Sequence, residues 1–307
     1  MPSPRFRLLT ASAALAGWVL VAVGGIVRVT ASGLGCPHWP LCTSRALPLD
    51  ARASVIEYSH RAVVALVSLL AIAVAINAWR TCRARRDIVV PALLAVVLLP
   101  AQALLGAVAV WLVLPAWIVA VHFVVGLLFL ATLVLTAAAS WRRRALRPSV
   151  MFARLAAASV FVGLALVSVG AAVVATDAGD ACGTQWPGCN GGFVAGGGHA
   201  ELQVVHRTLA YVLAALTLAL LILALRGAGP RLAGSLPFLV VCVQISLGIA
   251  IVLVGGAGRA HEILAGLHVG GAGAVWGSLV ALAVLVRDPA RPVRARALTN
   301  PAAVQQR

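Results

Sequence analysis

The sequence predicts an all-α integral membrane protein: eight transmembrane helices arranged as two tandem, pseudo-symmetric four-helix bundles. Three observations carry this prediction. Of 307 residues, 62% are hydrophobic and only 10% charged, against about 25% charged in a typical soluble domain. The apolar residues fall into eight stretches, each close to the roughly 20 residues that span a bilayer core. The second half of the chain repeats the first at a constant offset.

The stretches run over 8–29, 55–79, 88–110, 118–140, 152–175, 203–225, 235–254 and 262–286, separated by polar, Gly/Pro or arginine-rich breaks. The first follows Arg5 and Arg7, as a secretory signal would, but it is longer than the about 7 to 15 apolar residues of such a signal. Its counterpart at 152–175 lies mid-chain, where no signal can sit.

A formal net charge of +16 invites comparison with nucleic-acid binders, yet the arginine positions assign the charge to membrane topology. There is no lysine, and 18 of the 24 arginines fall on one side of the eight-span scheme. Arg5 and Arg7 precede the first span, Arg80, Arg83, Arg85 and Arg86 follow the second, and Arg142, Arg143, Arg144, Arg147 and Arg154 surround the fourth-to-fifth connection. Arg226 and Arg231 follow the sixth span, and Arg287, Arg291, Arg294, Arg296 and Arg307 lie at or beyond the eighth. The positive-inside rule therefore places both termini in the cytoplasm of a multi-pass cell-membrane protein, with lipid and not nucleic acid as its surroundings.

"EYSHRAVVALVSLL" at 57 recurs as "QVVHRTLAYVLAAL" at 203, so His60 and Arg61 match His206 and Arg207 at an offset of 146. His122 matches His268 at the same offset, as do Thr30, Gly33 and Cys36 with Thr176, Gly179 and Cys182. "WPLC" at 39–42 matches "WPGC" at 186–189 after a one-residue slip, and "QALLG" at 102 matches "QISLG" at 244. Four helices per copy is an even number, so both copies enter the membrane in one orientation, related by an axis along its normal. The division is an N-terminal half over 1–140, a basic linker over 141–151, a C-terminal half over 152–286 and a cytoplasmic tail over 287–307.

His60, His122, His206 and His268 each lie a few residues inside the outer end of an even-numbered span. Two histidines at one depth on neighbouring helices can approach an iron from opposite faces, with a flat porphyrin filling the apolar bundle between them. A lone membrane histidine is more often an interhelical hydrogen-bond partner; two pairs at one offset reverse that judgement. His38, His199 and His261 have no repeat partner and are read as solvated loop residues, with a proton-relay role as the sharper alternative.

Glu57 stands three residues before His60 and so shares its helix face, whereas the matching residue before His206 is Gln203. Carboxylates at a membrane are costly and usually functional; the plainer reading pairs Glu57 with Arg61 or Arg28. The asymmetry points to chemistry in the first half and a fixed cofactor in the second. Cys36 and Cys42 share one outer loop, and Cys182 and Cys189 its copy. That side permits disulfides, and one bridge per loop is read in preference to a zinc site, for which no second ligand pair is well spaced. Whether the bridges are staples or reactive pairs stays open at this stage. Cys82 and Cys242 are left unpaired, and Gln102 and Gln244 are read as helix-bridging residues without an assigned function.

"GGIVRVTASGLGCPHWPLC" at 24–42, "EYSHR" at 57–61 and the duplicated histidines together resemble the heme A synthase family. The resemblance extends from the first span to the eighth. It implies an enzyme that oxidises one methyl substituent of heme O to a formyl group, giving heme A for terminal oxidases. It further implies substrate heme on His60 and His122, a heme b cofactor on His206 and His268, and Glu57 as the essential carboxylate. Cys36 and Cys42 would be the pair beside the substrate. A heme O synthase and an electron-transfer partner are implied as partners, while self-association stays open.

Three other readings compete. A diheme electron carrier accounts for the histidines but not for Glu57 against Gln203. A transporter would place its polar groups near the bilayer midplane, and a membrane thiol oxidoreductase would leave the histidines without a purpose.

Overall fold

The computed structural model describes residues 2–36, 38–39, 42, 51–142, 148–189, 192, 197–256 and 258–286. Arg45, the centre of the basic linker at 143–147 and the tail from 287 onward lie outside the described residues.

Among the described residues there are eight α-helices: α1 Pro4–Val29, α2 Arg52–Thr81, α3 Arg86–Trp111, α4 Ala116–Trp141, α5 Val150–Ala175, α6 Gly198–Leu225, α7 Arg231–Val254 and α8 Arg259–Val286. A 3-10 turn, Ala178–Asp180, follows α5. All eight are long and apolar enough to cross a membrane. At about 1.5 Å per residue, the shortest, with 24 residues, exceeds the roughly 30 Å hydrocarbon core.

Every helix begins two to five residues before the predicted apolar stretch, while the C-terminal ends agree within two. The first turn of a helix needs acceptors for its unpaired N–H groups, so it is polar and disappears from an apolar pattern. Ser3 and Ser149 show this directly, each accepting from the backbone N–H three residues on, Phe6 and Phe152, at 3.2 Å. These two caps are themselves 146 positions apart.

The contacts respect the duplication. Helices α1–α4 close a ring through α1·α2, α2·α3, α3·α4 and α1·α4, and α5–α8 pack through α5·α6, α6·α7, α7·α8 and α5·α8. Between the two rings α1 packs on α8, α4 on α5 and α4 on α8. Exchanging each helix for its repeat partner maps this set onto itself. Two indoles tie the seam: Trp276 Nε1 donates to the Leu127 carbonyl at 2.8 Å, and Trp18 Nε1 to the Gly270 carbonyl at 2.9 Å. Gly25 lets α8 come so close that a Cβ there would lie 2.4 Å from Val269 Cγ1, the small-residue packing expected between helices in lipid.

At the end carrying the cysteine loops, two ion pairs also cross the seam, Arg28 to Asp177 at 2.8 Å and Arg52 to Glu262 at 2.7 Å. At the opposite end Arg85 grips Asp87 through two hydrogen bonds of 2.8 and 2.7 Å, and Arg142 reaches the Val284 carbonyl at 3.2 Å.

Candidate functional site

The four repeat-related histidines all sit in the first three turns of even-numbered helices, which run in one direction, so all four lie at the cysteine-loop end. His206 and His268 face each other with ring centroids 6.4 Å apart and planes inclined by 68°. A metal bound by both rings needs about 2.0 Å for each metal–nitrogen bond plus about 1.1 Å from nitrogen to centroid, or roughly 6.2 Å in all. His60 and His122 occupy the equivalent turns of α2 and α4.

Each histidine packs against a glycine of the neighbouring odd-numbered helix. A Cβ at Gly24 would lie 3.1 Å from His60 Cε1, at Gly106 3.4 Å from His122 Cε1, at Gly170 3.0 Å from His206 Cε1 and at Gly248 3.2 Å from His268 Cε1. In all four the Cε1–Nδ1 edge meets the glycine. The four Nδ1 atoms are buried without a hydrogen-bond partner. These glycines were not picked out from the sequence. Gly24 and Gly170 carry the 146-residue offset and Gly106 and Gly248 share the register of the "QALLG" match, but only neighbour-helix geometry says what they touch.

Gln102 donates to the backbone carbonyl of His122 at 3.2 Å, and Gln244 to that of His268 at 2.7 Å. Their expected helix-bridging role is therefore observed, and it lands on the histidine turns themselves.

Glu57 is 4% exposed and both its oxygens are engaged. Oε2 accepts from the Cys36 backbone N–H at 2.7 Å and Oε1 from Arg61 at 2.5 Å. Arg61 in turn holds the loop through the carbonyls of His38 at 2.7 Å and Cys36 at 3.4 Å. Of the two pairings expected for Glu57, the structure has Arg61; Arg28 is spent on Asp177. In the second copy Gln203 donates instead, to the Gly179 carbonyl at 2.6 Å, and Arg207 holds its loop through the carbonyls of Gln185 and Gly188 at 2.8 and 2.5 Å.

Both cysteine pairs are disulfides, Cys36–Cys42 and Cys182–Cys189, with Cα atoms 4.3 and 4.9 Å apart, and Cys82 and Cys242 are free. The zinc alternative for these loops is thereby removed. His38 is exposed beside Arg61, but His199 and His261 correct the loop reading: they stand in the first turns of α6 and α8. His199 is exposed, whereas His261 is half-buried with an unpartnered Nδ1. Polar and glycine-rich surroundings hid these helix starts.

No group of three or more metal-ligating side chains exists among the described residues. Among the described residues each candidate site offers its two imidazoles. A heme iron is a metal that imidazole commonly ligates, and His60 with His122, and His206 with His268, are the residues that would hold one. Fold and site together define an eight-helix membrane protein with two repeat-related pairs of buried histidines.

The comparisons narrow this class. The COX15-CtaA family profile, described as cytochrome oxidase assembly protein, matches residues 7–55 and 50–280. The heme A synthase of Shouchella clausii is 32% identical over 254 residues, 77% of this chain and 83% of that protein. That of Halalkalibacterium halodurans is 33% identical over 186 residues, 58% of this chain and 62% of its own length, slightly under two thirds. A protoheme IX farnesyltransferase of Halobacterium salinarum is 31% identical over 98 residues, 32% of this chain and 21% of that protein. The chain belongs to the COX15-CtaA family.

Proposed function

We propose that this protein is a heme A synthase: it oxidises one methyl substituent of heme O to a formyl group. The observation that carries the reading is the unequal pair of sites, two like histidine couples in a member of this family, with a buried carboxylate beside the first alone. His60 and His122 hold the substrate heme, and His206 and His268 hold a heme b that, when bound, supplies one-electron transfer between the first site and an external partner.

The chain's own residues then have distinct tasks. Glycine cradles and glutamine bridges fix the imidazoles, and their apolar helices exclude water. Oxidation at a methyl carbon builds positive charge and releases a proton, and Glu57, in a site of low dielectric, stabilises the one or accepts the other. Arg61 and the Cys36 N–H hold that carboxylate in place. The disulfide loops close the same end of the bundle. A heme O synthase is the source of the substrate. The orientation follows from the arginine distribution: the sites lie on the outer side of the cell membrane, with both termini cytoplasmic.

Co-expression with a source of heme O, followed by pigment extraction, tests the reading. Wild-type protein should yield heme A, and Glu57→Gln should bind heme without yielding it. Bound b-type heme with heme O left unaltered by the wild type would favour the electron-carrier alternative and overturn this proposal.

A further inference from the structure

Arg61 and Arg207 are repeat-equivalent, and each follows a histidine of its couple directly. In the first copy the Arg61 Nη2 group meets Glu57, which lies on the same helix face as His60. In the second copy the position of Glu57 is taken by Gln203, whose amide donates to Gly179 and so presents no charge. Arg207 is only 9% exposed. Its Nη1 is satisfied by two loop carbonyls, but its Nη2 is buried with no partner among the described residues, and no carboxylate pairs with it there. A buried guanidinium without a counter-ion is strongly unfavourable, so Nη2 of Arg207, the residue next to His206 in the chain, calls for an anionic partner.

We propose that Arg207 Nη2 binds a carboxylate of the ligand held by His206 and His268, that is, a propionate of a porphyrin. The proposal rests on the reading that the second couple holds heme. It gives the two copies different recognition chemistry. The C-terminal site selects its porphyrin by charge, whereas in the N-terminal site the equivalent cation is already neutralised by Glu57. Substitution of one acid by one amide in an otherwise duplicated motif thus separates a site that retains its heme from one that exchanges it.

The test uses full-length detergent-purified protein carrying His60→Ala, produced in a heme-deficient host, and titrates it with protoheme IX or its dimethyl ester. Protoheme should bind about ten- to a hundredfold more tightly than the ester, the range expected for one charge-assisted hydrogen bond. Arg207→Gln should abolish that discrimination by weakening protoheme alone. Gln203→Glu, which restores the internal carboxylate and leaves the loop contacts of Arg207 in place, should abolish it as well. Equal loss of both porphyrins in Arg207→Gln would assign the guanidinium to the loop carbonyls or to a lipid phosphate and overturn the proposal, as would unchanged discrimination. Failure of the His60→Ala protein to bind either porphyrin would instead overturn the assignment of the second couple as a heme site.

Discussion

The backbone N–H of Cys36, half of a disulfide, donates to the buried carboxylate of Glu57 at 2.7 Å. The candidate acid of the first site and the covalent staple of its loop are therefore one hydrogen-bonded unit. Glu57→Ala leaves Arg61 without its carboxylate and that N–H without an acceptor. It should destabilise the N-terminal half by about 3 kcal/mol, as loss of one partner of a buried pair does. Glu57→Gln, which keeps an acceptor oxygen, should cost less while still abolishing product. Thermal unfolding beside heme analysis separates the two effects; equal product from Glu57→Gln and wild type would remove the carboxylate from the chemistry.

The glycine cradles should be intolerant of a side chain. Gly170→Ala puts a Cβ 3.0 Å from His206 Cε1 and must push the imidazole, an overpacking cost of about 1–3 kcal/mol. Heme-to-protein ratio should fall in Gly170→Ala and Gly248→Ala, and further with valine. Gly277→Ala, where the nearest atom would be Val134 Cγ2 at 3.8 Å, is the control and should retain full heme.

Thiol accessibility follows from the bridges. Alkylation of unfolded, unreduced protein should label Cys82 and Cys242 only, and prior reduction should add Cys36, Cys42, Cys182 and Cys189. Cys182→Ser should cost about 2 kcal/mol on the loop-entropy estimate for so short a ring. Mass spectrometry of the labelled peptides reads the pairing directly.

Trp276 is a test of the seam between the halves. Trp276→Phe removes the hydrogen bond to the Leu127 carbonyl and should cost about 1 kcal/mol, whereas Trp276→Ala also empties a buried site and should cost about 3–5 kcal/mol. Neither touches a histidine, so at temperatures where the variants stay folded, heme content should hold. A loss of heme in Trp276→Phe would mean that the seam positions the sites.

Much of this molecule could be read from residue order, because the bilayer makes it so: backbone groups in lipid must pair within their own segment. Apolar runs therefore announce helices, and a repeat in sequence becomes a repeat in space. The constant offset between the pairs His60, His122 and His206, His268, the exchange of Glu57 for Gln203 and the bridging Gln102 and Gln244 were all visible at that level. What registers poorly is whatever depends on a neighbour. The first turns of α6 and α8, with His199 and His261, merge with glycine-rich loops. A glycine on one helix says nothing of the histidine it will meet on another.

Composition and periodicity were thus sufficient for the eight spans and the sequence repeat, and they singled out the candidate site residues, since each is a property of one segment in a uniform apolar solvent. Packing alone decided that Glu57 binds the Cys36 N–H, that Arg28 serves Asp177, that four glycines seat four imidazoles and that Arg207 is left with a buried unpaired nitrogen. Those are contacts between segments distant in the chain, and their distances are set by how helices and loops nest together, which no local pattern encodes.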